Sequence, residues 1–351
     1  DLERDILFNK GWFAVGFVKD LPQIGSVKPV NYFKNPLLLI RSSQDKKIRV
    51  FQNVCRHRGM TLIEEPTVLK GAIRCSYHSW CYKQTGEVVA TPHIGGAGYN
   101  YHSDINKSEL SLIEVRSHIW RDVIFVNPDG RAKPFEEVHK HLLDRWSSFD
   151  QSMYSDMSDS SFNLEVKTNW KLAVENYLES YHLPWIHPGL NSYSKLEDHE
   201  NIVKYGHYSG QISNKYIPKY STGKQFQNFK NLSSEWDSKG EYIVLFPNLI
   251  LGVQKDHVFN LIIEPIGCDQ IKEHVEIYYS DPSMLSDEFQ QTRLENTKLW
   301  RTVFEEDVFV VEGMQKGRYA EGFDGGRFSP VMDEPTHVFH DWYARKMLSK
   351  F

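Results

Sequence analysis

Nowhere does this chain run for the roughly 20 consecutive apolar residues that a bilayer-spanning helix needs. Its start, Asp1-Leu-Glu-Arg4, lacks a basic stretch followed by an apolar one, so no signal peptide is expected. Position 1 is not Met, and a few native residues are expected to precede it. Cysteine is scarce, with four in 351 residues, which excludes a disulfide scaffold and points to a reducing, cytoplasmic setting. One-sided charge is missing too. A formal net charge of −5 gives no reason to expect nucleic acid or an anionic membrane as partner. No Gly-x-Gly-x-x-Gly fingerprint is present, so a dinucleotide is not expected to bind this chain directly. Internal repeats and low-complexity tracts are also absent. What remains is an ordinary globular composition, 40% hydrophobic and 25% charged, long enough for two domains.

Two of the four cysteines stand in a pattern. Cys55-Arg-His57 is followed, after the 17 positions 58–74, by Cys75-Ser-Tyr-His78. Two sulfurs and two imidazoles can hold a tetrahedral zinc. They can equally hold a [2Fe–2S] cluster with two thiolates on one iron and two histidines on the other. Zinc motifs usually pair cysteine with cysteine and histidine with histidine, whereas each pair here mixes the two, which favours iron–sulfur. The flanks Asn53-Val-Cys-Arg-His-Arg-Gly59 and Arg74-Cys-Ser-Tyr-His-Ser-Trp80 resemble the Rieske signature of ring-hydroxylating oxygenases. Arg56, Arg58 and Trp80 beside the ligands are expected to shield the cluster and to form docking surface. Cys81 and Cys268 remain unassigned.

Residues 12–130 read as β-rich. Short apolar runs at 37–42, 48–54 and 119–126 are separated by turn residues, among them Asn127-Pro-Asp-Gly130. Each cysteine–histidine pair follows a strand-like stretch, as expected of ligands on loop tips. Beyond Pro134 the pattern changes: an amphipathic helix is expected over 135–149, with Leu142, Leu143 and Trp146 on one side. Residues 150–161 read as a polar linker. From Phe162 a second domain is expected, with a helix over 170–181 and a polar region over 192–240. Strands at 242–246, 249–253, 259–264 and 273–279 and a long helix over 287–314 complete it, giving an α+β domain.

Glu179-Ser-Tyr-His182-Leu-Pro-Trp-Ile-His187 suggests a second metal site. Histidines five apart do not share a face of a straight helix, and Pro184 disrupts a helix between them. A helix ending near His182 and turning back can bring both imidazoles together. On the late helix, Val308, Phe309 and Val311 are expected to pin Glu305-Glu306-Asp307 against the core, where an unpaired carboxylate is costly and a metal removes the cost. On spacing alone the histidines can also be ordinary residues near a helix end, and the acidic run a solvated face. Two histidines and one carboxylate with open positions form the facial triad of non-haem iron oxygenases.

Asn169-Trp-Lys-Leu-Ala-Val-Glu-Asn176, leading into Tyr181-His182 and His187-Pro188, resembles the catalytic signature of Rieske non-haem iron oxygenase large subunits, and the likeness covers essentially the whole chain. It implies an N-terminal all-β Rieske domain over 12–134 and a helix-grip-like catalytic domain with an antiparallel sheet over 135–351. Residues 1–11 are expected to pack on the catalytic domain. The implied [2Fe–2S] ligands are Cys55, His57, Cys75 and His78, and the implied ligands of a mononuclear Fe(II) are His182, His187 and Asp307. O2 is the implied co-substrate. Electrons are implied to come from NAD(P)H through a separate flavin or iron–sulfur reductase.

Most of the family carries aspartate where this chain has Glu179. There the carboxylate bridges a Rieske histidine of a neighbouring subunit to an iron-ligand histidine, because the two sites within one subunit lie too far apart for tunnelling. A homotrimer is therefore implied. Glutamate at this place is similar to the branch acting on carnitine, glycine betaine and related quaternary ammonium compounds. Asn176 is a further candidate in the same signature. Tyr177, Tyr181, Trp185, Phe246, Phe304 and Phe309 are candidates for a pocket that holds an ammonium head by cation–π attraction. The implied reaction is monooxygenation or oxidative N-demethylation of a small substrate. Hydroxylation of an aromatic acid, or electron transfer without oxygenase chemistry, are the alternatives.

Overall fold

The computed structural model describes residues 2–348, and they form two compact units that divide between Ala132 and Lys133. Among the described residues no helix is long and apolar enough to cross a membrane.

The first unit is all β apart from short turns of helix. Its strands are β1 (Phe13–Phe17), β2 (Ser26–Tyr32), β3 (Asn35–Arg41), β4 (Ile48–Gln52), β5 (Thr67–Val68), β6 (Ile73–Arg74), β7 (Cys81–Tyr82), β8 (Val88–Ala90), β9 (Glu114–Trp120) and β10 (Val123–Asn127). Seven make one antiparallel sheet in the order β1-β10-β9-β4-β3-β2-β5, and β6-β7-β8 make a small second sheet. The expected apolar run over 119–126 is two strands, not one. Arg121 and Asp122 take positive φ of 49° and 66° and turn the chain between β9 and β10, the backbone pair that matches hairpin twist. The turn at Asn127–Gly130 is present, with Gly130 at φ 69° and its N–H donating to Asn127 at 3.1 Å.

Residues 4–8 correct the expectation for the N-terminal segment. Ile6, Leu7 and Phe8 are buried within the first unit, where Phe8 packs edge-on against Phe13 at 5.1 Å and Phe33 at 4.8 Å. A short run with three large apolar side chains takes the nearest core that can cover them. Asp1 of that segment lies outside the described residues.

The second unit opens with α1 (Phe135–Val138) and α2 (Lys140–Arg145), two short helices where one was expected. The strands β11 (Ser161–Val166), β12 (His199–Lys204), β13 (Tyr208–Ser213), β14 (Gly240–Leu245), β15 (Leu249–Val253), β16 (His257–Pro265) and β17 (Ile271–Tyr279) form one antiparallel sheet in the order β11-β17-β16-β15-β14-β13-β12. Strands β12 to β17 run as a consecutive meander, and β11 closes its far edge on β17. The polar region expected over 192–240 thus contributes two edge-side strands, β12 and β13, whose alternation is masked by polar residues such as Asn201, Ser209 and Gln211. Helices α3 (Trp170–Tyr177), α4 (Leu183–Ile186), α5 (Pro188–Asn191), α6 (Asp287–Gly317) and α7 (Glu334–Leu348) complete the unit. α6 and α3 pack on each other and on the sheet, while α7 covers β12 and β13. The result is the expected α+β arrangement of a long helix gripped by an antiparallel sheet.

One fixed point sets where α6 lies. The segment expected as a linker buries Asp159, whose carboxylate receives Arg293 Nε at 3.0 Å and Nη2 at 2.7 Å. Arg293 Nη1 also donates to the carbonyl of Ser286 at 2.9 Å, and Thr297 Oγ1 donates to the Asp159 carbonyl at 2.7 Å. A polar segment can be buried when it satisfies ions as completely as this. Arg293→Met should destabilise the protein by about 3–5 kcal/mol, since it strands a buried carboxylate. Lys140→Ala, which removes an exposed pair with Asp144, should cost under about 0.5 kcal/mol. Denaturant unfolding of the two variants checks the contrast.

Candidate metal centres

In the first unit the two ligand loops are built alike. Cys55 N–H donates to Met60 O at 2.8 Å and Gly59 N–H to Cys55 O at 3.1 Å. Cys75 N–H donates to Trp80 O at 2.8 Å and Ser79 N–H to Cys75 O at 3.0 Å. The fourth residue after each cysteine takes positive φ, Gly59 at 74° and Ser79 at 57°, which folds each loop back over its own start. Both cysteines are buried, His57 is exposed and His78 half-buried, so sulfur faces inward and imidazole outward. The rings of His57 and His78 lie 4.6 Å apart, and His57 stacks on buried Trp80 at 4.8 Å and 8°. Trp80 therefore shields the site as expected. Arg58 instead lies over Tyr77, donating to its hydroxyl at 3.1 Å.

The unpaired atoms fit a metal cluster. His78 Nδ1 is buried with no hydrogen-bond partner. Burial, with Cys55 beside it, pushes the Cys75 thiol up, a penalty on the thiolate that metal ligation would offset. Tyr82, also buried, accepts from Arg56 N–H at 3.0 Å and so points its own O–H at Cys55 Sγ, 3.2 Å away. A hydrogen bond to a ligand sulfur is one of the terms that sets a cluster's potential.

The second unit gathers His182, His187 and Asp307, with one donor atom from each all within 4.8 Å of one another. α3 ends at Tyr177, four residues before the expected end, and Pro184 starts a new helix instead of breaking one. Proline is favoured in a first turn, where its missing N–H costs nothing. His182 caps the start of α4 and His187 its end, so one helical turn separates the imidazoles. Nε2 of His182 lies 3.2 Å from Nε2 of His187. Asp307 Oδ1 on α6 lies 3.1 Å from His187 Nε2 and 3.6 Å from His182 Nε2.

Two further carboxylates orient the rings. Glu179 Oε1 accepts from His182 Nδ1 at 2.7 Å, and Glu306 Oε2 accepts from His187 Nδ1 at 2.8 Å. Each Nδ1 carrying a proton leaves each Nε2 lone pair facing the other and facing Asp307. Asp307 Oδ1 is buried without a hydrogen bond. Burial alone would lower the pKa of His187, but Asp307 and Glu306 outweigh it and raise it. Three electron-pair donors converge on one point, and a cation is the group that fits there.

A pocket opens beside the three donors, with Tyr177, Tyr242, Trp300 and Phe304 among its walls. A second, which Asp307 also lines, is bounded by Asn176 and Glu273 as well as Tyr177 and Phe304. Burial, with Asp307 nearby, pushes the Glu273 carboxyl up to about 8. Tyr177 and Phe304 stack at 6.3 Å and 12°, and Gly252 leaves room for the ring of Phe259, which supports Phe304 and Trp300 from behind.

Residues 152–349 match the family model of the ring hydroxylating alpha subunit (catalytic domain), and residues 11–107 match that of the Rieske [2Fe-2S] domain. The chain belongs to the ring-hydroxylating alpha-subunit family. This Rieske oxygenase is an enzyme whose cofactors are a [2Fe–2S] cluster and a mononuclear iron, with O2 as co-substrate and electrons from a reductase. It is 25% identical over 327 residues to a carnitine monooxygenase oxygenase subunit of Acinetobacter pittii, covering 92% of this chain and 83% of the relative. It is 26% identical over 356 residues to a chloroplastic choline monooxygenase of Arabidopsis thaliana, covering 96% and 78%. In fold it is similar to a quaternary ammonium Rieske monooxygenase solved with L-carnitine, with TM-score 0.77, 21% identity and coverage of 99% and 91%. A naphthalene 1,2-dioxygenase from Rhodococcus sp. gives TM-score 0.75, 19% identity and coverage of 100% and 92%.

The ring-hydroxylating fold sorts the expected pocket residues. Tyr177 and Phe304 line both cavities and Asn176 one. Phe246 packs between Phe339 and Trp342 of α7, at 5.4 and 5.0 Å, among core residues and away from both cavities. Trp185, Phe309 and Tyr181 are 69%, 67% and 47% exposed, on the outer side of the segments that carry the donors. Phe309 therefore does not pin α6 to the core. That role falls to Phe304, buried Val311 and Val308, since helical period turns position 309 outward. Glu306 was legible beside Asp307, but its pairing with His187 was not. Glu273, His199, Gln211, Tyr242 and Trp300 carry no local motif, and only the sheet, or α6 for Trp300, brings them to the site.

Purified anaerobically, the protein should be red-brown and give a Rieske-type EPR signal when reduced. His182→Ala, His187→Ala and Asp307→Ala should each lower iron content by about one ion per chain while leaving that signal intact, because the two donor sets sit in separate units. Metal analysis beside EPR checks this. Loss of the signal in all three variants would assign these residues to folding instead.

Proposed function

We propose that His182, His187 and Asp307 hold the mononuclear iron, that Cys55, His57, Cys75 and His78 hold the cluster, and that the enzyme hydroxylates a C–H bond beside the nitrogen of a quaternary or tertiary ammonium compound. One observation carries the reading: three converging donors open onto a cavity walled by aromatic rings and edged by the carboxylates of Glu179 and Asp307. A cation gains from both, about 0.5–2 kcal/mol for each well-placed ring face. The names of the relatives, carnitine and choline monooxygenases, are those of enzymes acting on quaternary ammonium compounds.

When bound, the iron with its open positions activates O2 while the cluster supplies electrons singly. The chain itself does the placing. Glu179 and Glu306 keep both imidazoles turned to the metal, and the apolar walls exclude water from the reacting carbon. Hydroxylation of an N-methyl group leaves a carbinolamine, which loses formaldehyde and returns the demethylated amine. Anaerobically reduced protein given O2 and an alkylated ammonium should form formaldehyde in step with cluster oxidation. Hydroxylation of an aromatic acid without formaldehyde from any ammonium compound would overturn the substrate assignment.

We propose further that the enzyme is a cytoplasmic homotrimer of C3 symmetry in which the cluster of one subunit serves the iron site of the next. Exposed Tyr181, Trp185 and Phe309 offer apolar surface on the segments bearing Glu179, His187 and Asp307, as an interface would use. Glu179 holds His182 by Oε1, and its second oxygen caps the backbone N–H groups of Tyr181 and His182. A remaining lone pair is available to His78 of the partner subunit. Glu179→Gln keeps shape but loses charge, so both metals should still load while single-turnover oxidation of the cluster slows by orders of magnitude, with Glu179→Asp intermediate. Near-normal electron transfer in Glu179→Gln, or a fully active monomer, would remove the bridge from the route.

A further inference from the structure

The cavity beside the three donors runs along one face of α6, where Trp300, Val303, Phe304 and Asp307 line it. These positions fall at i, i+3, i+4 and i+7, the spacing of a single helical stripe. Asp307 stands at the metal end. Trp300, seven residues earlier, stands about 10 Å away along the helix axis, at about 1.5 Å per residue. Tyr242 lies beside it with ring centroids 5.9 Å apart, and together they form the end of the cavity remote from the metal. Tyr216, stacked on Trp300 at 5.7 Å and 18°, lines another pocket with Trp236, Gln254 and Asp256. The stacked pair thus stands as a partition between the two spaces.

The Trp300 ring is held by packing and by one hydrogen bond. Phe259 packs against it at 4.5 Å, and its Nε1–H donates to His257 Nε2 at 3.1 Å. An indole nitrogen is a donor only, so Nε2 of His257 accepts and its Nδ1 carries the proton. Nδ1 donates that proton to Asp256 Oδ1 at 2.6 Å, in the turn between β15 and β16. All three side chains are buried. Rotating the indole would strand a donor and an acceptor away from water, an expensive change that keeps the ring in place. The tether also commits the only polar atom of Trp300, so the cavity meets its carbon atoms alone.

We infer that Trp300, locked by His257, sets the length of ammonium compound that the cavity accepts. Short chains fit between the metal and the indole, and longer ones are excluded by it. The inference rests on the ammonium reading above and deepens it. Trp300 is the specificity-determining wall. His257 is a positioning residue that acts through the indole, and Asp256 fixes its tautomer.

The test is a series of alkyltrimethylammonium ions, ethyl to hexyl, given to the reconstituted holoenzyme with a reductase. kcat/KM is read from formaldehyde, and iron content and the Rieske EPR signal are checked in every variant. The unaltered enzyme should use the ethyl compound better than the hexyl one by about tenfold or more. Trp300→Phe and Trp300→Ala should shrink that ratio, the second more, because a shorter side chain opens the way toward Tyr216. His257→Phe should shrink it too, chiefly through KM of the longer ions, whereas His257→Gln retains an acceptor for the indole and should keep it. In a Trp300→Ala background His257→Phe should change the ratio no further, since it acts only through the indole. Additive effects would instead remove His257 from the positioning role. Equal use of the ethyl and hexyl compounds by the unaltered enzyme would overturn the inference and leave the ammonium reading standing. So would an unchanged ratio in iron-loaded Trp300→Phe. Formaldehyde from no ammonium compound, with benzoate hydroxylated, would overturn both. The unaltered enzyme decides the length limit even if the variants fail to fold.

Discussion

Two imidazole nitrogens and a carboxylate oxygen, each presenting a lone pair, stand 3.1–3.6 Å apart in a partly buried site. Left alone they repel, and much of the second unit is arranged so that they cannot move away. Glu179 and Glu306 hold the rings from behind through their Nδ1 protons. α3 is tied to the far end of α6 by Thr168 Oγ1 on the Val311 carbonyl at 3.0 Å, by Gln315 on Asn169 N–H at 2.8 Å, and by Arg318 on Glu175 at 2.7 Å. At its other end α6 is fixed by the buried Arg293–Asp159 pair. The repulsion is thus balanced by ion pairs and hydrogen bonds placed a turn or more away from the donors.

The first unit handles the same difficulty by another means. Its four donors come from two loops of matching build, each closed by the backbone of its own cysteine. No distant helix is needed, because a loop that folds back on itself positions its tip locally. A site on loops is readable from sequence for that reason. Cys55, His57, Cys75 and His78 stand close together in the chain, with flanks that encode the turns.

The second site was legible in its donors and illegible in its surroundings. His182, His187 and Asp307 carry a recognisable pattern, and the strands β14 to β17 show plain apolar runs. The cavity walls do not. Tyr242 and Trp300 look like core in sequence, and Gln211 and His199 sit in a stretch whose polar residues conceal two strands, because their hydrogen bonds run to one another and not to solvent. Aromatic residues were the least informative class. Trp185 and Phe309 are near the donors in sequence and face outward, while Phe246, far from them in the chain, is core, since sheet register and helical phase set where a ring points. The polar segment before β11 misled for a related reason: polarity predicts exposure only where no partner ion such as Arg293 waits in the interior.

The cross-ties between α3 and α6 bear on which metal occupies the site. Folding has already gathered the donors, so binding an ion requires little further ordering of the chain. A site prepared in this way gains little selectivity from conformational adjustment. Intrinsic affinities for nitrogen and oxygen donors then follow the Irving–Williams order, in which copper and zinc surpass ferrous iron. Selection of iron over those ions at such a site then falls to what the cell supplies during loading. The fold guarantees the shape of the site, and metal availability determines its reactivity.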